Sequence, residues 1–548
     1  MESATVNRFF RLPFQNMCGL PQGSDAKSIN EWIIFDMSKT IRTKPNWQTK
    51  YKDSEIVNNW KKDFLTQFKN DGIIIKHANF DDLFEYTIKE LSWYEKLEKE
   101  YKGNLKICMD DRICSSETLV NGKIKANLKT QSIELEKSFG DKIDYHPGSQ
   151  NQVIDLVHPS LFPLVYGKSQ SIDPDTKEIS VIDYSEDIVG DPDHKYKGFQ
   201  FFGSKNFQWL PTIFELSHDK KRYEITSYIN NLEPKSFKDL YKTIEDVFNA
   251  SIPALNFVLS RLCSPEYIRI PVPGQLEVYT EKFQEEYEAL LDSDEGDYET
   301  YFNENAANSI KDLSPTYNSD PITNNFSLPN EYSKLKVIVK MANIELMPEN
   351  PVYPGGSWHV EGALNEDIVA TVLYYYDTEN ITDSELEFRA DFEDPLYEQD
   401  DKVYCKEIFG IEDEKIHSNN LGGVKVEEGM LLVFPNIFQH HVKPFELKDK
   451  GKKGTRKILC FFLVDPGNKR NFASDTVLPQ QKEWLGENSD EIVSKMFKSK
   501  NQEMTYTKEL DFEYDLALEM RAKLMKERSN FFTEGDSSFS REFCLCEH

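Results

Sequence analysis

The sequence predicts an α+β protein in which an antiparallel β domain, residues 331–470, stands between two helical regions. Within this middle domain, apolar and polar residues alternate in several short runs separated by turn residues, a pattern typical of an antiparallel sandwich or barrel. Residues 1–330 and 471–548 are predicted to be mostly helical. Leu240 and Ile244, for example, begin an apolar stripe with helical spacing.

The N-terminal region is predicted to hold several separate elements. Helices are expected in the first 130 residues and over residues 238–262, where Pro253 should kink or divide the helix. The segment 140–235 is apolar but broken by prolines, which excludes one long helix. The acidic stretch at about residues 290–310 predicts a solvated linker, because it has few apolar residues to bury.

Six runs of the middle domain predict strands, by alternation or by their β-branched and aromatic content. They are residues 335–341, 368–377, 384–390, 429–434, 440–447 and 456–465. The acidic, turn-rich residues 391–422 are expected to form an insertion in one connection. Near the C-terminus, one apolar stripe begins at Tyr514 and Leu518 and another at Ala517 and Met520. Both predict a helix that packs on the β domain or on the N-terminal region.

Length and charge restrict the possible functions. The 548 residues, 39% of them hydrophobic, predict a globular chain of more than one domain. With 65 Lys and Arg against 94 Asp and Glu, the net charge is −29. Such a surface repels nucleic acid and anionic membranes, and it favours a cationic or neutral substrate. Neither the oligomeric state nor the substrate, protein or small molecule, follows from the sequence.

The cysteines and the chain start bear on location. The eight cysteines are scattered along a long chain, which favours reduced thiols in a cytoplasmic or nuclear protein over a disulfide framework. The start of the sequence lacks the apolar centre of a signal peptide. No run of 18 apolar residues predicts a membrane span.

The most informative run is PGGSWHVEG at Pro354–Gly362. On a strand, residues two apart point to the same side, so His359 and Glu361 can share one metal ion. The third ligand must come from another strand, and FPNIFQHHVKPF offers His440 or His441. Two histidines and one carboxylate are the ligand set of non-haem Fe(II) oxygenases. The sequence therefore predicts a catalytic iron site.

Alternation along the second run favours one of its two histidines. His440 shares the side of Val442, whereas His441 shares the side of Lys443. If the valine side faces the core, His440 is the ligand. Phe445, however, shares the side of His441, and an apolar residue there favours that side as the core-facing one. His441 therefore remains the alternative ligand.

Arg456 opens the apolar run RKILCFFLV, on the same face as Ile458, Cys460 and Phe462. A charge at the start of a buried strand is costly unless it has a partner. A guanidinium binds a carboxylate with two parallel hydrogen bonds, which suits one end of a dicarboxylate. An ion pair with a local Asp or Glu is the alternative, but the neighbouring metal ligands favour the dicarboxylate.

Two further histidines lie in the proline-rich run HPGSQNQVIDLVHPSLFPLVYG, residues 146–167. His146 and His158 each precede a proline. We expect both to make structural hydrogen bonds. A place for one of them beside the active site is the less favoured alternative.

The middle of the chain resembles known proteins at two levels. The β domain resembles the Fe(II)- and 2-oxoglutarate-dependent dioxygenases, whose pattern is H-x-D/E, a distant His, and an Arg at the start of the last strand. Over about residues 140–465, the chain also resembles a mainly fungal family of unknown function assigned to that superfamily. The matching runs are DYHPGSQNQVIDLVHPSLFPLVYG, KNFQWLP, SYINNLEP, VIVKMANIEL, YPGGSWHVEG, IVATVLYYYD, LVFPNIFQHHV and RKILCFFLVDP, and LMKERS extends the match.

The resemblance implies a double-stranded β-helix, or jelly-roll, core. It implies His359, Glu361 and His440 as iron ligands and Arg456 as the residue that binds 2-oxoglutarate. In that family the second histidine is usually followed by Arg, and His441 takes that position, which again favours His440. The implied activity is a hydroxylase-type oxidation of an unknown substrate, with Fe(II) and 2-oxoglutarate as cofactors.

Two positions depart from the dioxygenase pattern. Glu361 stands where most of these enzymes have Asp, and Ile458 stands where many have Ser or Thr to help hold the cosubstrate. Tyr374, Tyr375 or Tyr376 could supply the missing hydroxyl, and Tyr374 and Tyr376 are the predicted cofactor-binding residues. A catalytically silent jelly-roll protein that binds a metal or ligand is the alternative function. A cupin-like metal enzyme without 2-oxoglutarate is a third.

Overall fold

A computed structural model describes most of the chain. The described residues are Phe10, Pro13 and residues 26–176, 178–185, 203–274, 276–293, 297–395, 397, 401–469, 471–481, 484, 513–535 and 539–545. They form a mixed α and β structure around one large antiparallel sheet. No helix among these residues is long and apolar enough to cross a membrane.

Helices and short strands alternate in the first half of the described chain, and longer strands dominate the second. The helices are α1 (Ile29–Arg42), α2 (Trp47–Lys50), α3 (Ser54–Asp71), α4 (Phe80–Glu100), α5 (Gly122–Ser138), α6 (Lys238–Leu262), α7 (Glu281–Leu291), α8 (Tyr298–Ser309), α9 (Leu328–Glu331), α10 (Lys402–Tyr404) and α11 (Tyr514–Gly535). The strands are β1 (Lys106–Ile107), β2 (Cys114–Ser116), β3 (Val153–Val157), β4 (Leu164–Val165), β5 (Gln170–Ile172), β6 (Ile179–Val181), β7 (Phe207–Gln208), β8 (Thr212–Leu216), β9 (Tyr223–Ile225), β10 (Lys334–Leu346), β11 (Val352–Tyr353), β12 (Ile368–Glu379), β13 (Ser384–Ala390), β14 (Ile416–His417), β15 (Asn419–Val426), β16 (Leu431–Pro435), β17 (Phe438–Val442), β18 (Phe445–Glu446), β19 (Gly454–Val464) and β20 (Arg541–Glu542).

The large sheet joins the two halves of the chain. Its strand order is β1-β2-β16-β12-β19-β10-β8-β9, and β3 also pairs with β10. The predicted mostly helical N-terminal region therefore needs correction, because strands from residues 106–225 extend the sheet beyond residues 331–470. These strands are two to five residues long. Runs this short carry little periodicity for a sequence pattern to detect.

Two features of the N-terminal region differ from the sequence prediction. Helix α6 continues through Pro253, so the predicted division there is wrong. Phe248 and Leu255, on either side of it, are fully buried, and their packing offsets the hydrogen bond that proline cannot make. The acidic stretch near residues 290–310 is helical over Tyr298–Ser309, where a solvated linker was predicted. In it, α8 packs on α7 through aromatic contacts such as Phe283 with Tyr301.

A smaller sheet, β15-β13-β17, packs on one face of the large sheet. Leu386 and Phe388 from the small sheet share an apolar cluster with Leu373 and Phe462 from the large one. We call the face of the large sheet that contacts this cluster the inner face. The opposite, outer face packs against helices that include α5 and α6. The predicted strand 384–390 is confirmed, and the strand predicted over 368–377 is confirmed with two more residues, to Glu379.

The other strand predictions hold with changed bounds. The run 440–447 is divided, because β17 ends at Val442 and β18 begins at Phe445. Pro444, between them, has no N–H to donate to a neighbouring strand. The insertion predicted over 391–422 ends earlier than expected, since Asn419 already begins β15.

The C-terminal helix contributes to the inner cluster. Ala517, Met520 and Leu524 of α11 are buried there. The stripe that begins at Tyr514 faces outward instead, and the Tyr514 side chain is 41% exposed. Helix α11 thus packs against the part of the inner face that adjoins the predicted site.

Candidate metal centre

The PGGSWHVEG run crosses the end of β17. Gly356 N–H donates to the Val442 carbonyl at 2.9 Å. Gly355 has a φ of +96°, and a β-carbon there would lie 2.9 Å from the same carbonyl oxygen. Only glycine meets both conditions, which explains Gly355, the first glycine of the pair before the ligands. Further along the run, His359 pairs with His440 as an isolated antiparallel bridge.

The three predicted ligand residues lie together. The Nε2 atom of His440 is 3.4 Å from Oε1 of Glu361, and Nε2 of His359 is 3.9 Å from the same oxygen. One ligand atom from each residue fits within 4.8 Å of the others. The Nδ1–H of His359 is directed to the Ser357 carbonyl at 2.8 Å, which leaves Nε2 as the metal-binding nitrogen.

The charges of the group match the needs of a divalent cation. Burial raises the pKa of Glu361, but this effect is outweighed by the hydrogen bond from His440 and the charges of both histidines, which together lower the pKa to about 2. Burial lowers the pKa of His359 to about 4; His440 acts in the same direction and Glu361 opposes it. At neutral pH the site thus offers an ionised carboxylate and a neutral imidazole, the protonation states that bind metal.

The backbone around Glu361 is held from two sides. Its N–H donates to Oδ1 of Asn436 at 2.8 Å, and Nδ2 of Asn436 donates back to its carbonyl at 2.9 Å. Glu366, in the following turn, accepts the Trp209 N–H at 2.6 Å and pairs with Arg528 of α11. The sequence reasoning missed these supporting residues; the FPN turn before the second histidine run is the only signal for Asn436.

His441 lies apart from this group. Its Nε2 is 2.9 Å from Oε2 of Glu387, and its ring centroid is 4.1 Å from that of Trp358. His440 faces inward beside Phe388 and Phe434, at ring distances of 6.2 and 4.9 Å. The core-facing side of β17 is thus the His440 side, because alternate residues of a strand face opposite ways.

Arg456 is buried on the inner face. Its side chain is 3% exposed, and its Nε has no hydrogen-bond partner among the described residues. The guanidinium carbon lies 4.9 Å from the Tyr375 ring centroid and 5.8 Å from that of Phe445. No carboxylate of the described residues lies within 4.0 Å of the guanidinium. The alternative from the sequence, an ion pair of Arg456 with a local Asp or Glu, is therefore not found among them.

The structure places the three tyrosines of β12 on different faces. Tyr374 and Tyr376 lie in the outer core with the helices, and burial there raises the pKa of Tyr376. They cannot reach a ligand at Arg456, so the predicted cosubstrate role of Tyr374 and Tyr376 is corrected. Tyr375 faces inward and contacts Arg456. Burial raises the pKa of Tyr375, and the charge of Arg456 opposes that rise.

His146, Asp155 and His158 form a second group whose ligand atoms lie within 4.8 Å of one another. Nδ1 of His146 is 2.9 Å from Oδ2 of Asp155, and Nδ1 of His158 accepts the Ser160 N–H at 3.2 Å. His158 therefore carries its proton on Nε2, where a metal would need a lone pair. Arg521 lies 3.8 Å from Asp155 and supplies the counter-charge. Both histidines make hydrogen bonds, as predicted.

Two family models match the chain. One, described as "Protein of unknown function (DUF4246)", matches residues 81–488. The other, described as "Domain of unknown function DUF4246, N-terminal", matches residues 2–63. No curated protein matches the chain.

Solved structures show only distant likeness. IDO from Bacillus thuringiensis is 14% identical with a TM-score of 0.16, and the match covers 24% of this chain and 46% of that one. The chain thus spans about half of the length of that relative. The Fe(II)/α-ketoglutarate-dependent dioxygenase TqaL is 12% identical with a TM-score of 0.24, covering 65% of this chain and 94% of TqaL. AviO1 from Streptomyces viridochromogenes Tue57 is 9% identical with a TM-score of 0.21, covering 65% and 91%. Likeness at this level assigns no function.

Proposed function

Because the chain belongs to the DUF4246 family of proteins of unknown function, we propose its activity from the metal centre: an Fe(II)- and 2-oxoglutarate-dependent oxygenase. One observation carries the proposal. The side chains of His359, Glu361 and His440 converge on one point, and Arg456, which is buried and has no ion pair with any described residue, lies on the inner face of the adjoining sheet. We further propose that the two facing sheets form a double-stranded β-helix.

The residues present fit an Fe(II) ion. Two imidazole nitrogens and one carboxylate oxygen are the ligand set of non-haem Fe(II) oxygenases, and three protein ligands leave positions open for other reactants. The substitution of Glu for Asp is accommodated, because Oε1 of Glu361 approaches both Nε2 atoms, at 3.4 and 3.9 Å. Asn436 sets the position of Glu361 through its backbone, so the longer side chain starts from a fixed point.

Arg456 and Tyr375 suit the far carboxylate of 2-oxoglutarate. A buried guanidinium without an ion pair is costly, and a bound carboxylate would offset that cost with two charge-assisted hydrogen bonds. Tyr375 lies directly opposite Ile458 in the pairing of β12 with β19. We infer that its hydroxyl replaces the Ser or Thr that related enzymes have at the position of Ile458.

When bound, Fe(II) with 2-oxoglutarate supplies the power to oxidise an unreactive C–H bond with O₂. The protein holds and orients the reactants. His359, Glu361 and His440 fix the ion, and Arg456 with Tyr375 fixes the cosubstrate. Phe388 and Phe434, beside His440, exclude water from that side of the site.

An anaerobic titration tests this proposal. Fe(II) and 2-oxoglutarate added together to the wild-type protein should give the weak visible charge-transfer band of their chelate, and admission of O₂ should then release succinate. The His359→Ala variant should give no band. His218→Ala, an exposed histidine in the turn between β8 and β9, is the matched control and should keep it. A wild-type protein that gives no band under these conditions rules out the proposal.

A further inference from the structure

Lys340 occupies a central place on the inner face. It lies on β10, opposite Cys460 of the neighbouring strand β19. On the other side of β10 runs β3, where Asp155 is opposite Ala342. Val339, next to Lys340, belongs to the outer core, so alternation directs the Lys340 side chain inward.

This lysine lies between the metal centre and the second histidine group. Its positive charge lowers the pKa of both His359 and Glu361 on one side. It also lowers the pKa of Asp155 and His158 on the other side. The charge of a single ammonium group therefore acts on both groups.

The ammonium of Lys340 is half-buried, and no ion pair or hydrogen bond reaches it within the described part of the chain. Lys336, four residues earlier on the same face, provides a contrast. Its ammonium donates to the carbonyls of Asn468 and Asn471, at 3.2 and 2.6 Å. A partly buried ammonium carries three donors and a desolvation cost that only an acceptor offsets. Lys340 thus lacks an acceptor that Lys336 has.

We propose that Lys340 binds a carboxylate group of the substrate, so that the substrate of this centre is a carboxylic acid. The inference rests on the proposed oxygenase function and adds the substrate class to it. The negative charge of the whole chain suggested a cationic or neutral substrate. The Lys340 ammonium on the inner face favours an anionic substrate instead, because a direct contact between two charges is stronger than the field of surface charges screened by salt.

Two arguments indicate that the partner of Lys340 is a carboxylate and that it belongs to the substrate. Arg456 pairs with Ile344, four residues from Lys340 on β10, which is about 13 Å along the strand. A small dicarboxylate that binds Arg456 and the metal is therefore too short to bind Lys340 as well. Glu361 and Asp155, which flank the lysine, would repel a doubly charged phosphate, whereas one ammonium balances one carboxylate.

Binding of small acids to the Zn(II)-loaded protein, which cannot turn over, tests the proposal. Phenylacetate, hexanoate and N-acetylglycine are titrated against their amides by saturation-transfer NMR, in an Arg456→Met background that removes the other carboxylate site. At least one acid should bind saturably, and its amide should bind at least tenfold more weakly. Adding Lys340→Met should weaken acid binding at least tenfold, Lys340→Arg should retain it, and Lys336→Met should leave it unchanged.

Two outcomes overturn the proposal. One is that no acid binds, or that the acids bind the Lys340→Met variant with the same affinity as the protein that keeps Lys340. The other is a loss of 2-oxoglutarate affinity in Lys340→Met as large as that in Arg456→Met, which would assign Lys340 to the cosubstrate. The acid titration needs neither Fe(II) nor 2-oxoglutarate. It therefore gives its answer even if the oxygenase proposal fails.

Discussion

The backbones of His359 and His440 exchange two hydrogen bonds, from His440 N–H to the His359 carbonyl at 2.9 Å and from His359 N–H to the His440 carbonyl at 3.2 Å. Their rings lie 4.4 Å apart. These main-chain hydrogen bonds therefore hold the two histidines side by side. Such a preorganised pair loses little conformational freedom when it binds a cation.

We expect His440→Ala and His441→Ala to differ sharply in metal binding. Loss of His440 removes a ligand nitrogen, so the affinity for Fe(II) or its substitute Mn(II) should fall about 100-fold or more. Loss of His441 removes its contacts with Glu387 and with the Trp358 ring but no ligand nitrogen, so the affinity should stay within about threefold of wild type. Isothermal titration with Mn(II) measures both. Equal losses in the two variants would contradict the assignment.

Glu361 is expected to require its full length. Asp at this position withdraws the carboxylate by one methylene, about 1.5 Å, while Asn436 holds the backbone in place. We expect Glu361→Asp to bind metal about tenfold more weakly and Glu361→Ala about 100-fold more weakly. Metal titration with the far-UV spectrum as a folding control separates the two. An Asp variant that binds more tightly than wild type would show that Glu361 is not adapted to this site.

The sequence predicts those features of the candidate site that depend only on the spacing of residues along the chain. His359 and Glu361 are two residues apart, and any extended backbone puts them on one side. The choice between His440 and His441 needed the direction of the core, which alternation alone leaves open. Burial of Phe388 and Phe434 against His440 provides that direction, and it depends on the pairing of β13 with β17, in which Phe388 is opposite His440.

The sequence failed where the result depends on which face of a strand is inside. Tyr374, Tyr375 and Tyr376 have the same chemistry, and every residue of IVATVLYYYD from Ile368 to Tyr376 is buried. A strand that is buried on both faces shows no alternation, so its inward side cannot be read from hydrophobicity. That neither Arg456 nor Lys340 has an ion pair within the described ranges depends equally on long-range contacts.

The corrected tyrosine assignment gives a direct test at Arg456. Arg456→Met should weaken 2-oxoglutarate binding about 10- to 100-fold, the loss of a charge-assisted pair of hydrogen bonds, with Mn(II) affinity unchanged. Tyr375→Phe should weaken it about three- to tenfold. Tyr374→Phe is the matched control, because it removes a hydroxyl from the outer face of the same strand. A loss with Tyr374→Phe and none with Tyr375→Phe would restore the original prediction.

His158 should make the folded state sensitive to mild acid. Burial lowers its pKa to about 3, from an ordinary value of 6.5, and Asp155 opposes this shift. The unfolded chain therefore takes up a proton near pH 6.5, whereas the folded chain takes it up only near pH 3. Because the unfolded state binds more protons between these values, the free energy of unfolding falls as the pH falls through this window.

We expect this one group to contribute a slope of about 1.4 kcal/mol per pH unit between pH 6 and pH 4, a limit set by one proton. Urea unfolding at several pH values measures the total slope, and His158→Asn should reduce it by about that amount. Asparagine suits the position, since its side-chain oxygen can accept the Ser160 N–H that Nδ1 of His158 accepts at 3.2 Å. The difference in slope, rather than in stability at one pH, is the test, because the substitution also alters packing. An unchanged slope would mean that His158 takes up its proton in the folded protein near the ordinary histidine pKa, and that burial there is incomplete.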